Sequence, residues 1–111
     1  MAFDATLQLE NGIAKITLVG ELDASVAPQF QERIKEAADA HAQKLVLLLE
    51  GLNYMSSAGL RMLVFAKQKM GTGVKIYLIG TQEQVVEPIK QTGFHYSVIM
   101  LDTYDPTVIE N

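Results

Sequence analysis

The sequence predicts an α/β domain built on one mixed β-sheet, and three observations carry that expectation. Two runs of alternating apolar and polar residues flank Asn11-Gly12. Two nearly unbroken apolar runs follow, at residues 44–49 and 74–79. Helical apolar spacing lies between and after them. Alternation suits a half-buried strand, and a continuous apolar run suits a strand covered on both faces. A chain of 111 residues, 49% of them apolar, is enough for one domain over 1–111 with its own core.

Taken in order, residues 3–9 alternate as a strand and Asn11-Gly12 tolerates the positive φ angles of a tight hairpin turn. Residues 13–19 alternate again and complete a β-hairpin. Gly20-Glu21-Leu22-Asp23-Ala24-Ser25 breaks the pattern. From Val26 the apolar positions Phe30, Ile34, Ala37 or Ala38, and His41 follow a helical period. Ser25 is placed to cap this helix, and Pro28 fits a first turn whose amides lack intrahelical partners. Residues 44–49 form a strand covered on both faces by helices, ending at Glu50-Gly51-Leu52-Asn53-Tyr54.

A second helix opens in Met55-Ser56-Ser57-Ala58-Gly59-Leu60 and runs to about 70, where Gly71-Thr72-Gly73 stops it. Residues 74–79 make another buried strand. Thr81 and Gln84 have capping-box spacing for a third helix ending at Gly93, and Pro88 predicts a kink or a late start in it. Residues 97–101 form the last strand, and Asp105-Pro106 opens a short terminal turn. The predicted order is β-β-α-β-α-β-α-β with a brief helical tail. Right-handed crossovers make the middle strands largely parallel, and the hairpin supplies the antiparallel part.

Composition narrows function. The chain has no cysteine, which removes disulfides, thiolate nucleophiles and thiolate metal sites. Two histidines, His41 and His95, are too few for a typical zinc site. A net charge of −4 with scattered Lys and Arg argues against nucleic acid as a partner. No apolar run reaches the roughly 20 residues of a membrane-spanning helix, and Met1-Ala2-Phe3-Asp4 lacks the features of a secretory signal. A cytoplasmic protein with no membrane partner, no metal and no cofactor is expected.

Enzyme chemistry fits poorly. A nucleophile elbow needs glycine on both sides of its serine, but Ser57 has Met55 before it and Gly59 after. Gly71-Thr72-Gly73-Val74-Lys75 lacks the ending of a phosphate-binding loop and follows a helix. Asp23 reads as a group that hydrogen-bonds loop amides at a strand-to-helix junction. The protein is therefore read as a binding module, not an enzyme.

Ser56 and Ser57 stand at a helix start, where free amides and the helix dipole favour an anion. Either serine can cap the helix, a role that suits Ser56 well. A phosphate on Ser57 would add about −1.5 to −2 charges that the helix end tolerates, so its effect would fall on a docking partner. On a helical wheel Leu60, Leu63, Val64, Ala66 and Met70 form the core face. Phe65 falls outside it, close to Lys69 and between Arg61 and Met62, and the Phe65–Met62 pair is a candidate docking patch.

Gly20-Glu21-Leu22-Asp23, followed after one helix and one strand by Leu52-Asn53-Tyr54-Met55-Ser56-Ser57-Ala58-Gly59-Leu60, resembles the STAS domain family. Within it the resemblance is to the stand-alone bacterial anti-sigma factor antagonists, over almost the full length. The resemblance implies partner switching. The unmodified antagonist binds an anti-sigma factor that is also a serine kinase, and phosphorylation by that kinase separates the complex. A metal-dependent, PP2C-type phosphatase restores the binding form. The family motif reads Asp-Ser-Ser/Thr-Gly-Leu, which places the modified serine at Ser57, with Ser56 in the Asp position, Ala58 next and Gly59 as the glycine. Ser56 removes a carboxylate beside the acceptor and supplies an alternative hydroxyl. Asp23 matches the family aspartate near the phosphosite. The expected partner-binding residues are thus Asp23, Ser56, Ser57, Gly59, Arg61, Met62 and Phe65. The terminal helix is expected to be short after Asp105. Two alternatives stay open: the same switch on a non-sigma target, and a ligand-binding STAS module without phosphorylation.

Overall fold

The computed structural model describes residues 2–110. Strand β1 (Asp4–Glu10) turns at Asn11 and Gly12, whose φ angles are 53° and 78°, into β2 (Ile13–Leu22). The two pair antiparallel from Asp4↔Val19 to Glu10↔Ile13. Then come α1 (Ala27–Asp39), β3 (Lys44–Leu48), β4 (Leu52–Met55) and α2 (Ser57–Met70). They are followed by β5 (Lys75–Ile79), α3 (Glu83–Gln91), a 3₁₀ turn (Phe94–Ser97), β6 (Ile99–Leu101) and α4 (Pro106–Ile109). The sheet order is β1-β2-β3-β5-β6, with β4 paired to β2, and every pairing after the hairpin is parallel.

Alternation along the strands divides the core in two. Ala14, Ile16 and Leu18 of β2, Leu45 and Leu47 of β3, and Ile76 and Leu78 of β5 share one face. Phe30 and Ile34 of α1, Leu63 and Ala66 of α2, and Val85 and Ile89 of α3 pack in the same cluster. The opposite face carries Ile13, Val46, Tyr77 and Ile79, which cluster with Ile109 of α4 and the partly buried Tyr104. The central strands are apolar on both faces, as expected, but the second cover is a short tail segment rather than a layer of helices. Each large apolar side chain brought out of water contributes about 1.5–3 kcal/mol, so the tail's Ile109 is a substantial cover for its length.

Several local expectations change. The stretch from Gly20 to Leu22 continues β2 instead of ending it, because the register shifts between Gly20 and Glu21 and the strand's distal end pairs with β4. Gly20 sits at φ 100°, and a Cβ there would lie 2.5 Å from the Ala2 carbonyl oxygen, so the irregularity requires glycine. Residues 52–54, expected as part of the stretch that ends the strand at 44–49, belong to a separate strand, β4. Ser25 does not cap α1. Val26 holds the cap position without a side-chain bond, while the Asp23 carbonyl accepts from the Val26 and Ala27 amides at 3.3 and 3.0 Å. His41 lies beyond α1, exposed, at φ 57°. The helix stops at Asp39 because the chain must turn there into β3.

At α3 the Thr81–Gln84 capping box does not form, and Gln82 takes the cap position. Gln84 instead donates to the Asn53 carbonyl at 3.0 Å and to Gln82 Oε1 at 2.7 Å. Gln82 donates to the Glu50 carbonyl at 2.7 Å and to Asn53 Oδ1 at 3.1 Å. Two of these competing acceptors are on Asn53 of β4, a strand absent from the sequence reading, and a third is the Glu50 carbonyl just before it. α3 runs through Pro88 without a break. The hydrogen bond that proline forfeits would reach the carbonyl of exposed Gln84, where water can replace it, while Val85 and Ile89 hold the helix to the core. α3 ends at Gln91, before the predicted Gly93, and β6 begins at Ile99 because residues 94–97 form the 3₁₀ turn. The cap at Asp105 forms as expected, its carboxylate accepting from the Thr107 amide at 3.0 Å.

Candidate functional site

Three junctions meet where α2 begins. Leu22 at the end of β2 is paired with Met55 at the end of β4, and the Ser56 amide donates to the Leu22 carbonyl at 2.9 Å. Gly59, in the first turn of α2, rests on both strand ends. A Cβ there would lie 2.8 Å from Leu22 Cγ and Cδ2 and 2.8 Å from Met55 Cγ. The missing side chain lets the helix start sit directly on the strand ends, which fixes where Ser56 and Ser57 stand.

The two serines have different roles. Ser56 is the N-cap, in an extended conformation, and its hydroxyl accepts from the Gly59 amide at 3.4 Å while its carbonyl accepts from the Leu60 amide at 3.0 Å. Ser57 is the first helical residue and is exposed. First-turn amides at Ser57 and Ala58 have no carbonyl to reach inside the helix, which leaves the positive end of the helix dipole beside the Ser57 hydroxyl.

Asp23 follows Leu22 directly, so the pairing brings it to the same rim as Ser56. Its carboxylate is engaged within its own loop, where Oδ1 accepts from the Ser25 hydroxyl at 2.6 Å and the Ser25 amide at 2.9 Å. The Ser25 hydroxyl is the main reason the Asp23 carboxyl is held below its ordinary value. Asp23 thus shapes the loop, as read from sequence, and stays ionised there.

The exposed face of α2 is displaced from the sequence expectation. Gly59, Leu63 and Ala66 are its buried residues, and Leu60, Met62, Phe65 and Met70 pack partly against the core. Phe65 and Met62 are therefore not a free docking pair, whereas Val64, expected in the core, is 40% exposed. The reason is Gly59. It marks the centre of the buried arc yet adds nothing to an apolar count, and α2 packs on α1 as well as over the sheet. Ser57, Arg61, Val64 and Gln68 form the solvent-facing stripe. Tyr54 of β4, 49% exposed, precedes it by three residues and was missed by sequence reasoning. An aromatic residue just ahead of a helix start was its only signal.

Among the described residues no cluster of three His, Asp or Glu is arranged to hold a metal ion, and no helix is long and apolar enough to cross a membrane. A crevice of about 260 Å³ opens between α3 and β6, lined in part by Thr81, Glu83, Lys90 and Asp102, and includes neither serine.

Residues 4–109 match the family model of the STAS domain. The chain belongs to the STAS domain family. The anti-sigma-F factor antagonist RsfB of Mycobacterium tuberculosis is 26% identical over 98 residues, covering 88% of this chain and 80% of RsfB. Among solved structures, an anti-sigma factor antagonist from Mycobacterium paratuberculosis superposes with a TM-score of 0.88 at 20% identity, covering 99% of this chain and 96% of that one. The Bacillus cell fate determinant SpoIIAA in its phosphorylated form gives a TM-score of 0.71 at 19% identity, covering 98% and 97%. These likenesses establish a STAS fold over essentially the whole domain, and the mixed sheet predicted from sequence is that fold.

Proposed function

We propose that this STAS protein is an anti-sigma factor antagonist whose binding is controlled by phosphorylation of Ser57. Unmodified, it binds an anti-sigma factor that is also a serine kinase, through the rim formed by Asp23, Tyr54 and the Ser57–Arg61–Val64 stripe. The kinase transfers phosphate from ATP: Ser57 Oγ bonds to the γ-phosphorus, the bond to ADP breaks, and the hydroxyl proton passes to a base of the kinase. A PP2C-type phosphatase hydrolyses the ester and restores binding. The cycle is cytoplasmic, and this chain does no catalysis itself.

The observation that carries this reading is the exposed Ser57 hydroxyl at the first residue of α2. A kinase can reach it, and the helix end accommodates the product anion with a favourable term of about 0.3–1 kcal/mol. The fold therefore survives modification, and the new charge with its hydration opposes docking. Similarity to RsfB supports a sigma pathway as the target. Incubation with the cognate kinase and ATP, with the phosphate mapped by mass spectrometry, tests the reading. Ser57→Ala abolishes modification and retains binding, and Ser57→Asp weakens binding. Modification of Ser57→Ala at Ser56 refutes the site, and equal partner affinity for both variants refutes the switch.

A further inference from the structure

Ser57 and Arg61 stand one helical turn apart on α2, and both are exposed. Residues four apart on a helix lie one above the other, and a long side chain leans toward the N-terminus, over the turn before its own Cα. The Arg61 guanidinium is thus able to sweep the space above Ser57. Among the described residues it has no ion-pair partner, since the two ion pairs found, Arg33–Glu36 and Lys35–Glu32, both lie on α1.

Its surroundings in the chain offer no counter-charge. Between Glu50 and Glu83 there is no Asp or Glu, while Arg61, Lys67, Lys69 and Lys75 all fall in that stretch. A basic segment of this kind stands apart in a chain of net charge −4. Asp23, on the neighbouring rim, already has its carboxylate bound by Ser25. Arg61 is therefore a cation without an internal acid, beside the one hydroxyl that would become an anion.

We propose that Arg61 is an exchangeable anion clamp, pairing with a partner carboxylate while Ser57 is free and with the phosphoryl group once Ser57 is modified. The inference rests on Ser57 being the modified residue. Phosphorylation then acts twice: it adds charge to the docking face, and it withdraws the cation that the partner uses. The partner that fits α2 is a protein presenting an acidic patch. Arginine suits both states, because its planar fork binds carboxylate and phosphate in the same bidentate manner.

The test uses the full chain with phosphoserine genetically encoded at position 57, so that no kinase is needed. Phosphorus NMR follows the second ionisation of the phosphate. Arg61→Gln raises that pKa by about 0.2–0.4, Arg61→Lys restores most of the difference, and Lys69→Gln leaves it unchanged. In the unphosphorylated chain, Arg61→Gln weakens binding to the kinase used above by about two- to fivefold and flattens its salt dependence. A phosphate titration unaffected by Arg61→Gln overturns the clamp, and so does an unchanged affinity for the partner. Failure of the kinase to modify Ser57 strikes the functional reading alone and leaves the encoded-phosphoserine titration intact.

Discussion

Gly59 and Leu22 meet so closely that a single added methyl group would lie 2.8 Å from the leucine's Cγ and Cδ2. Leu22 is fully buried and Met55, on the other side of the same contact, is 5% exposed. Both are packed in the core, so relieving the contact means moving packed side chains. The start of α2 is consequently seated on the ends of β2 and β4, and everything exposed at that helix end inherits its position from this contact.

Gly59→Ala therefore destabilises the domain. The gain in helix propensity, about 0.5–1 kcal/mol, is outweighed by overpacking of about 1–3 kcal/mol. Urea denaturation measures the difference. Gly73→Ala is the control, because a Cβ at Gly73 meets nothing within 4 Å and its φ is not positive. An equal loss in both variants would remove the packing explanation.

The two serines separate by stability as well as by modification. Ser56→Ala loses the cap to the Gly59 amide and costs about 0.5–1 kcal/mol, at the low end for a cap because the bond is 3.4 Å long. Ser57→Ala stays within about 0.5 kcal/mol of the parent. Thermal melts of the two variants check this, and the encoded phosphoserine chain melts no lower than the parent.

Val64→Asp and Phe65→Asp behave oppositely. Val64→Asp leaves the melting temperature within a few degrees and weakens binding to the kinase partner. Phe65→Asp lowers stability by about 1–3 kcal/mol, since a charge replaces a ring packed on the core. Calorimetry on both variants with the partner distinguishes a docking contact from a packing one.

The hydrogen bonds to Asp23 add one contribution to stability in acid. Its carboxyl is held below the ordinary 3.8, first by the Ser25 hydroxyl. A lowered carboxylate adds stability that is complete above its unfolded pKa and disappears as pH falls through the folded one. Ser25→Ala accordingly flattens the fall in the urea midpoint below about pH 4. An unchanged slope would show that this loop does not contribute.

At the alkaline end Tyr104 takes over. Its phenol donates to Glu110 Oε2 at 2.7 Å, and Lys15 Nζ lies 4.5 Å from the ring centroid. Burial, reinforced by Glu110, raises the phenol above its ordinary 10.0. That contribution is complete below the unfolded pKa and is lost as pH rises through the raised folded value. Tyr104→Phe reduces the fall in the urea midpoint above about pH 10. Ile109→Ala, which uncovers the second face of the sheet, costs about 2–4 kcal/mol at neutral pH in urea denaturation.

Much of this was legible in the residues. Alternation in residues 3–9 and 13–19 located the hairpin, and the apolar runs at 44–49 and 74–79 located the two central strands. Each of those signals is local, because the covered side chains repeat at the period of the element that carries them. Ser56 as cap, Asp23 as a loop-binding carboxylate and Asp105 as the final cap were readable for the same reason: each closes its bonds within a few residues.

What the residues did not disclose depended on distant partners. β4 is short, half exposed and recognisable only once the end of β2 lies beside it. That pairing in turn redirected Gln82 and Gln84 and left the capping box at Thr81 unformed. The face of α2 was displaced because its closest approach to the sheet is made by a glycine, which carries no hydropathy. The kinds of elements, their order and the chemistry of the helix start could be read from the residues, since they follow from local periodicity and local bonding. Only the folded chain shows that Tyr54 and Val64 face solvent while Phe65 packs partly against the core. Burial is a relation between surfaces, and neither surface is defined until the chain has brought both together.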